Sequence, residues 1–420
     1  MGDIYCIQAG QNTMAKEAAP VIIVVNAGSS SLKLSVYFLE EDDGLRLAAH
    51  GAIEEIGAES PHLQADMADG TSIADDNLSA RQVGDHGDAY RILRECVTNA
   101  LDQVQPVAVG HRVLHGGRDF SAPVVIEEQV RRRLEDFIPL APLHQPHNLT
   151  GIDAVSRYAP DVLQVACFDT AFHHQRPEIS MMTGLPWAWF EKGLQRYGFH
   201  GLSYEYIAHR LPELEPGLAR GHVIVAHLGN GASLCAMSDC QSMETTMSFT
   251  ALDGLPMGTR CGALDPGTVL YLQQQHGLDH GALQDMLYKE SGLKGISGIS
   301  SNMQSLLEDD SADARRAIDF FVYRTAQEVG RMAVALGGFD GLVFTGGIGE
   351  HAAPIRQMIV EKLAALFPMV LDQKANMGEA PDLISTRESA ITVRVIPTDE
   401  EGMLARHTVS LLRGHAHRSG

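Results

Sequence analysis

The sequence has no apolar run that approaches the roughly 20 residues a membrane-spanning helix needs. Its 420 residues are 45% hydrophobic and 20% charged, a composition typical of soluble globular proteins. Basic residues are few, with 32 Lys and Arg against 53 Asp and Glu and a formal net charge of -21. That sign repels a phosphate backbone, so neither a membrane nor nucleic acid is an expected partner. An anionic small substrate stays open, because arginines in a cleft or a bound divalent cation invert the local field.

The cysteines form no CxxC pair, no disulfide framework and no zinc-type spacing with histidine, and Cys167 lies inside the apolar run LQVACF. This usage favours a reducing, cytoplasmic location. The chain also lacks GxxxxGK[ST], a GxGxxG after a strand and GxSxG, which excludes the P-loop, the dinucleotide fingerprint and the hydrolase elbow. Residues 1–20 show neither a basic nor an apolar region of a signal peptide and are expected to be a loose extension without chemistry.

The length predicts two domains, and apolar strand-like runs alternate with longer helical patterns. The runs are VIIVVN, LKLSVYFL, PVAVGHRV, LQVACFD, HVIVAHL, SLCAMS, GLVFTG and ITVRVIP. The clearest helix is ARRAIDFFVYRTAQEVGRMAVAL, which has one apolar face and is followed by Gly337 and Gly338. This alternation indicates an α/β protein.

A weak similarity between two segments of the chain, called the echo below, suggests a duplication. VVNAGSSSLKLSVY, residues 24–37, is an apolar strand, an Asn with small residues and a second strand, and HVIVAHLGNGASLCAM from His222 repeats that plan. Chance similarity between two hairpins is the alternative. If the echo is real, two related halves point glycine-rich hairpins at a shared cleft, with the boundary near residues 170–175.

Three glycine-rich segments suit a phosphate ligand. Small residues in NAGSSS and NGAS let backbone N–H groups approach an anion, and Lys33 would add a charge beside them. GGIGEH, residues 346–351, is predicted as a glycine loop between the strand GLVFT and a helix with Pro354 in its first turn, which makes an anion or nucleotide seat. An ordinary turn is the alternative in each case.

Several charged or titratable residues stand where chemistry is expected. Arg112 and Arg260 are flanked by glycines, and their planar guanidinium suits carboxylate or phosphate. Asp169 ends a buried strand, His200 lies between Phe and Gly, and His144 lies in a proline-confined loop. Among 19 histidines, any one is structural by default. The acidic IPTDEEG segment either complements a helix N-terminus or holds magnesium.

Nine segments, in order, resemble the acetate kinase family within the sugar kinase, Hsp70 and actin superfamily. They are VNAGSSSLKLSVY, GHRVLHGG, APLHQPHN, FDTAFH, YGFHG, AHLGNGAS, TRCGALDPG, FTGGIGE and IPTDEE. The resemblance implies a duplicated ribonuclease H-like (actin-like ATPase) βββαβαβα core in two lobes around a central cleft. An N-terminal lobe would span residues 21–171, joined by a C-terminal helix at 400–413, and a nucleotide-binding lobe would span 172–399.

The resemblance also implies reversible transfer of the γ-phosphoryl group of ATP to acetate, with Mg²⁺ or, as the alternative, Mn²⁺, in a cytoplasmic homodimer. The implied catalytic residues are Asp169, Arg112, His200, Arg260 and His144. The implied nucleotide-binding residues are Ser29, Ser31, Lys33, His227, Leu228, Gly229, Asn230, Gly231, Asn302, Met303, Gln304, Gly347, Ile348, Gly349 and Glu350. Arg112, Leu114, Leu143, Phe199 and Ala251 would form the substrate pocket, and Asn26 and Glu400 would hold the metal. For Asp169 we expect a role in orienting an arginine or metal-bound water, because acetate is already deprotonated at pH 7.

The chain departs from the family pattern at three places. Ala263 replaces an acid beside Arg260, Ala251 replaces a frequent proline, and SNMQ stands where SDMR is common. The last change predicts looser discrimination among ATP, GTP and pyrophosphate. A propionate or butyrate kinase on the same scaffold is the closest alternative, and a nucleotide-driven clamp of the Hsp70 or actin kind is a more distant one.

Overall fold

The computed structural model describes residues 18–28, 30–40, 44–101, 103–380 and 382–419. Its strands are β1 (Ala19–Ala27), β2 (Leu32–Leu39), β3 (Leu45–Glu54), β4 (His62–Met67), β5 (Ser72–Asn77), β6 (Val104–Val113), β7 (Val124–Val125), β8 (Leu163–Phe168), β9 (His222–Leu228), β10 (Ala232–Ser238), β11 (Gln241–Thr245), β12 (Gly341–Thr345) and β13 (Thr392–Val395).

The helices in the same residues are α1 (His86–Asn99), α2 (Glu128–Glu135), α3 (Gln145–Tyr158), α4 (Glu178–Met181), α5 (Trp187–Glu191), α6 (Gly201–Leu214), α7 (Pro216–Ala219), α8 (Pro266–His276), α9 (His280–Lys289), α10 (Gly292–Ser297), α11 (Met303–Leu307), α12 (Ala312–Leu336), α13 (Gly346–His351), α14 (Ala353–Leu363), α15 (Gln373–Asn376) and α16 (Glu400–Ser419). Two 3-10 turns lie at Ile138–Leu140 and Ala171–His173.

The first sheet has eight strands in the order β5-β4-β3-β2-β1-β6-β8-β7. Strand β1 is antiparallel to β2 and parallel to β6, which is parallel to β8. Because successive strand residues point to opposite faces, Ile23 packs in the core beneath α1 and α3 while Val24 packs in the core beneath α16. Both faces of β1 are therefore covered, which explains its unbroken apolar sequence.

The second sheet repeats this plan. Its five strands run β11-β10-β9-β12-β13, with β9 antiparallel to β10 and parallel to β12, which is parallel to β13. The order matches β3-β2-β1-β6-β8 of the first sheet strand for strand. The echo between the two hairpins is thus a duplication of the sheet, and the predicted duplicated α/β fold is confirmed.

Two predicted helical features have clear physical causes in the structure. Helix α12 begins where the Ser311 hydroxyl accepts from the N–H of Ala314, and it ends at Gly337, whose φ of 74° suits glycine. Helix α16 returns to the first sheet, packing on β1, β6 and β8. It approaches so closely that a Cβ at Gly110 would lie 2.2 Å from Thr408 Oγ1. The proposed division into lobes at residues 171 and 172 stays a prediction.

The glycine segment after β12 differs from the expectation. Residues 346–351, predicted as a loop, form the short helix α13, so that the helical N–H groups begin directly after the strand. Strands β3, β4, β5, β7 and β11 were not predicted, because much of β5 is exposed and polar and β7 has only two residues. None of the helices in the described part of the chain has the length and apolar character needed to cross a bilayer.

Candidate functional site

A cleft of about 350 Å³ opens between the tips of the β1–β2 and β9–β10 hairpins. The ends of β6 and β8 and the first residues of α6 and α16 complete its walls. Its lining residues are Asn26, Ala27, Gly28, Ser31, Lys33, Arg112, Leu114, His144, Asn148, Asp169, Phe199, His200, His227, Gly229, Asn230, Gly231, Ala251, Arg260 and Glu400. The duplicated hairpins therefore face one cleft, as the sequence predicted.

Arg112 and Asp169 form a two-point ion pair at the base of the cleft. Arg112 Nε donates to Asp169 Oδ1 at 2.9 Å, and Nη2 donates to Oδ2 at 2.7 Å. The remaining nitrogen, Nη1, lies 3.5 Å from a Glu400 carboxylate oxygen. Burial works to lower the pKa of Arg112, but the Asp169 and Glu400 carboxylates outweigh it and raise that pKa. Asp169 thus holds a charged guanidinium at two points, and the orienting role expected for it from the sequence stays a prediction.

Arg260 enters the cleft from the opposite wall, where its Nη1 donates to the carbonyl of Ala251 at 2.7 Å. A Cβ built on Gly231 would lie 3.1 Å from Arg260 Nη2 and 3.2 Å from His200 Nε2. Glycine at this position lets both nitrogen atoms lie close to the backbone, where a side chain would crowd them. Arg260, His200 and Gly231 all line the cleft, and a guanidinium beside an imidazole can hold an anion there.

His200 holds its position through backbone and ring contacts. It has a φ of 60° and precedes α6, and its ring stacks on that of His227 with centroids 4.3 Å apart. A Cβ on Gly201 would lie 2.3 Å from the carbonyl oxygen of Asp169, so glycine is required for α6 to start against β8. This close approach places His200 beside Asp169.

The cleft histidines are neutral at neutral pH. Burial lowers the pKa of His200 well below its ordinary value, helped by His227 and the two arginines. Burial likewise lowers the pKa of His144 and of His227 to about 4 in each case. A neutral imidazole donates or accepts a hydrogen bond without adding charge. The positive charge facing an anion therefore comes from the arginines and Lys33.

The β1–β2 turn, predicted as a phosphate cradle, lines the cleft with Gly28, Ser31 and Lys33. The N–H of Gly28 donates to the carbonyl of Ser31 at 2.8 Å, and His86 Nε2 lies 2.7 Å from the carbonyl of Gly28. Lys33 follows at the start of β2. Ser29, the remaining residue predicted here, lies outside the described residues.

Asn26 and Glu400 line the same cleft. The described residues contain no group of three or more His, Cys, Asp or Glu that could hold a metal by themselves. One amide and one carboxylate beside a phosphate seat fit Mg²⁺, which keeps waters and shares phosphate oxygens rather than requiring a full protein cage.

A second pocket of about 520 Å³ adjoins the cleft through Gly229 and Asn230. Its other lining residues are Ser301, Asn302, Met303, Gln304, Leu307, Gly347, Ile348, His351, Ala352 and Pro354. Three residues predicted for the nucleotide, Leu228, Gly349 and Glu350, line neither space. The Glu350 carboxylate instead accepts from the N–H groups of Gly346 and Thr398, which ties α13 to the segment before α16.

A small cavity of about 20 Å³ continues the cleft behind Leu114, His144, Phe199 and Ala251. Leu143 lines this cavity rather than the cleft itself, and Tyr288 closes it from α9. All four aliphatic or aromatic wall residues predicted for the substrate thus lie around one apolar space.

Sequence reasoning did not single out Asn148 or Tyr288. Asn148 Oδ1 accepts from the N–H of Leu114 at 2.9 Å, and its Nδ2 donates to the carbonyl of Ala27 at 3.0 Å. The side chain therefore connects the β1–β2 hairpin to the end of β6. Its signal was present in the segment APLHQPHN, where only His144 was selected. Tyr288 lies in an ordinary helical pattern that carries no such signal.

Comparison with known proteins identifies related chains over nearly the whole length. The model of the Acetokinase family matches residues 21–406. An acetate kinase from Rhodopseudomonas palustris (strain TIE-1) is 48% identical over 397 residues, covering 94% of this chain and 99% of its own. An acetate kinase from Nitrobacter hamburgensis is 48% identical over 391 residues, covering 93% and 96%.

Solved structures show the same similarity. The crystal structure of Porphyromonas gingivalis acetate kinase has a TM-score of 0.83 and 35% identity, covering 94% of this chain and 100% of that one. The crystal structure of a propionate kinase from Francisella tularensis subsp. tularensis SCHU S4 has a TM-score of 0.86 and 34% identity, covering 93% and 99%.

Proposed function

Because this chain belongs to the Acetokinase family, we propose that its cleft transfers the γ-phosphoryl group of ATP to acetate, reversibly, giving acetyl phosphate and ADP. The family and the acetate kinase assignment agree with the resemblance found in the sequence. One observation carries the residue assignment: Arg112, Arg260 and His200 line one cleft, and the last two both lie close to the backbone of Gly231.

The chemistry needs positioning and charge neutralisation more than a strong base. An acetate oxygen forms a bond to the γ-phosphorus while the bond from that phosphorus to the bridging oxygen breaks, and ADP leaves with the electron pair. Arg112 and Arg260 neutralise the approaching anions, and His200 donates a hydrogen bond to the transferred group. Asp169 keeps Arg112 in place rather than removing a proton, because acetate is already ionised.

Asn26 and Glu400 are the residues that would hold Mg²⁺. The ion, when bound, neutralises charge on the phosphate oxygens. Glu400 lies 3.5 Å from Arg112, so the same carboxylate would interact with both the Arg112 guanidinium and the metal.

The test is to mix the protein with ATP, Mg²⁺, acetate and hydroxylamine and to measure acetyl hydroxamate. We expect hydroxamate that depends on both ATP and acetate. The Arg260→Ala protein, purified in the same way, controls for kinase from the expression host. ATP hydrolysis without hydroxamate would favour the nucleotide-driven clamp instead.

Propionate is the second candidate substrate, because the cavity behind Ala251 and Phe199 has room for about one more carbon. We predict a kcat/KM for propionate within about tenfold of that for acetate, and a much lower value for butyrate, since one methylene is worth ~1–3 kcal/mol. Steady-state kinetics with the three acids decide this. Equal values for acetate and butyrate would contradict a closed cavity.

For the nucleotide, we propose that the second pocket holds the base with little discrimination. Asn302 Oδ1 is occupied by the N–H groups of Gln304 and Ser305 at 2.8 and 3.2 Å, as the N-cap of α11. Gln304 Nε2 donates to Glu308 at 3.0 Å. Both side chains are therefore engaged with the protein itself, and neither is reserved for a hydrogen bond to adenine.

We therefore predict a kcat/KM for GTP within about tenfold of that for ATP, with pyrophosphate as a weaker donor. Gln304→Arg should increase the preference for ATP over pyrophosphate, because a guanidinium can stack on a base and pyrophosphate has none. Gln357→Arg serves as the matched control, since Gln357 makes the same exposed contact four residues along its helix, to Glu361, outside the pocket. A strict preference of the unmodified protein for ATP would refute this prediction.

We propose a homodimer, as the resemblance implies, with a second copy covering the exposed apolar segment around α4 and α5. Ile179, Leu185, Trp187 and Trp189 are 76%, 54%, 48% and 49% exposed. Large apolar side chains clustered in this way on a surface are typical of protein–protein contacts.

Both tryptophans of the chain lie in this segment, so fluorescence reports on its coverage. We predict that dilution shifts the tryptophan emission to the red at the concentration where sedimentation shows dissociation. Trp187→Glu should weaken association, whereas Leu366→Glu, at another exposed apolar residue, should not. A monomer at all concentrations would contradict the proposal.

We also propose a cytoplasmic location, consistent with free cysteines at all five described positions.

A further inference from the structure

Two buried hydroxyl groups connect to the catalytic imidazole. His200 Nδ1 lies 2.9 Å from Ser233 Oγ, on β10. The same Oγ lies 2.5 Å from the hydroxyl of Tyr204, which is on the first turn of α6. The side chains of Ser233 and Tyr204 are fully buried. Among the described residues, the Ser233 hydroxyl has these two hydrogen-bond partners and the Tyr204 hydroxyl has only Ser233.

Counting the available hydrogen atoms shows which atom donates in each of these two hydrogen bonds. Burial raises the pKa of Tyr204 well above its ordinary value, so the phenol keeps its proton. That proton has one acceptor within reach, Ser233 Oγ. The Ser233 proton is then left with one acceptor, Nδ1 of His200, which must be unprotonated to accept it. In this arrangement every buried donor has a partner.

The alternative tautomer carries its hydrogen on Nδ1. If Nδ1 donates to Ser233, the hydroxyl protons of Ser233 and Tyr204 have only each other's oxygen left, and one of them stays unpaired. An unpaired buried donor is unfavourable enough to decide between the two arrangements. The neutral state of the ring, which burial favours, leaves these two tautomers as the only choices.

We propose that Tyr204 and Ser233 are positioning residues that hold His200 as the neutral tautomer with its hydrogen on Nε2. Nε2 is the ring nitrogen near Gly231 and Arg260, and all three residues line the cleft. The hydrogen-bonded side chains of Tyr204 and Ser233, called the relay below, therefore make Nε2 a hydrogen-bond donor rather than an acceptor toward the seat of the transferred phosphoryl group. Its kinetic consequence rests on the proposed kinase function, whereas the tautomer itself does not.

The direct test is ¹⁵N NMR of the full chain labelled at histidine. The His200 signals are assigned by their loss in His200→Gln. We expect a protonated Nε2 and an unprotonated Nδ1 at neutral pH in the free protein. A protonated Nδ1 would overturn the proposal, and this outcome is independent of whether the protein has kinase activity.

Two variants test the relay through kinetics. Ser233→Ala should lower kcat about 5- to 10-fold, and Tyr204→Phe less, with KM for acetate and ATP nearly unchanged, because one hydrogen bond to His200 or to its partner is lost. Both should shift the His200 ¹⁵N signals. Tyr90→Phe is the matched control, since Tyr90 is equally buried and its hydroxyl has no hydrogen-bond partner among the described residues. If Ser233→Ala folds and leaves both kcat and the His200 signals unchanged, the relay has no role.

Discussion

Replacing Arg260 by Ala should lower kcat/KM for acetyl phosphate formation by about 10²–10³-fold, since one lost stabilising donor typically costs ~3 kcal/mol of transition-state stabilisation. Arg260 is held by the carbonyl of Ala251 and lies, like His200, close to the backbone of Gly231 in the wall of the cleft. Its guanidinium is thus already placed before the substrates bind. The hydroxamate assay at varied acetate and ATP measures the loss.

The fold should survive this change, because the carbonyl of Ala251 is the only protein acceptor of Arg260 among the described residues. Arg260→Lys keeps the charge but not the planar fork, and we expect it to recover only part of the rate. Arg46→Ala, which removes a surface pair with Glu40, is the control and should leave turnover unchanged. Near-normal turnover of Arg260→Ala would refute the assignment of this residue.

Replacing Asp169 by Asn should lower kcat by about 10²-fold or more, because it removes the charge that holds Arg112 at two points. Arg112 would keep only the longer contact to Glu400 at 3.5 Å, and its nitrogens would no longer be directed at the carboxylate substrate. Steady-state kinetics measure the rate, and a thermal unfolding curve shows how much of the loss reflects stability.

The protein offers a matched control for this substitution. Arg131 donates to both oxygens of Asp153 at 2.8 and 2.7 Å, the same geometry in an exposed position. Asp153→Asn should leave kinetics unchanged and alter stability by less than ~1 kcal/mol. Protonation of Asp169 also removes the charge that holds Arg112, so the orienting role predicts an acid limb in kcat/KM that disappears in Asp169→Asn. A kcat of Asp169→Asn within a few-fold of that of the unmodified protein would contradict the orienting role.

Much of the cleft could be predicted because its residues lie in short ordered segments. The two hairpins carry an Asn followed by small residues between apolar strands, a local pattern that survives in the sequence after duplication. The segments bearing Arg112, Arg260 and His200 carry glycines. The structure shows the benefit of glycine at Gly201 and Gly231, where a Cβ would clash with the Asp169 carbonyl or crowd Arg260 and His200. Where the backbone approaches another group this closely, the sequence therefore has glycine, and the position can be recognised from the sequence.

The direction in which a polar side chain points could not be recognised from the sequence in this way. Glu350 stands in the FTGGIGE segment, yet its carboxylate turns away from the pocket to the N–H groups of Gly346 and Thr398. Asn302 is occupied as a helix cap, and Ser233 and Tyr204 meet at His200 from different elements. Which way a side chain points depends on partners distant in sequence, so spacing alone does not predict it.

By itself the sequence determined the α/β class and the family and suggested the duplication, because alternating apolar periods and glycine-rich turns are local properties. Only the tertiary structure decided that the two sheets repeat one strand order, that Asp169 pairs with Arg112 at two points, that Tyr288 lines the small apolar cavity and that Ser233 connects His200 to Tyr204. These are contacts between residues that folding brings together, and their geometry depends on how both sheets and α6 pack around the cleft.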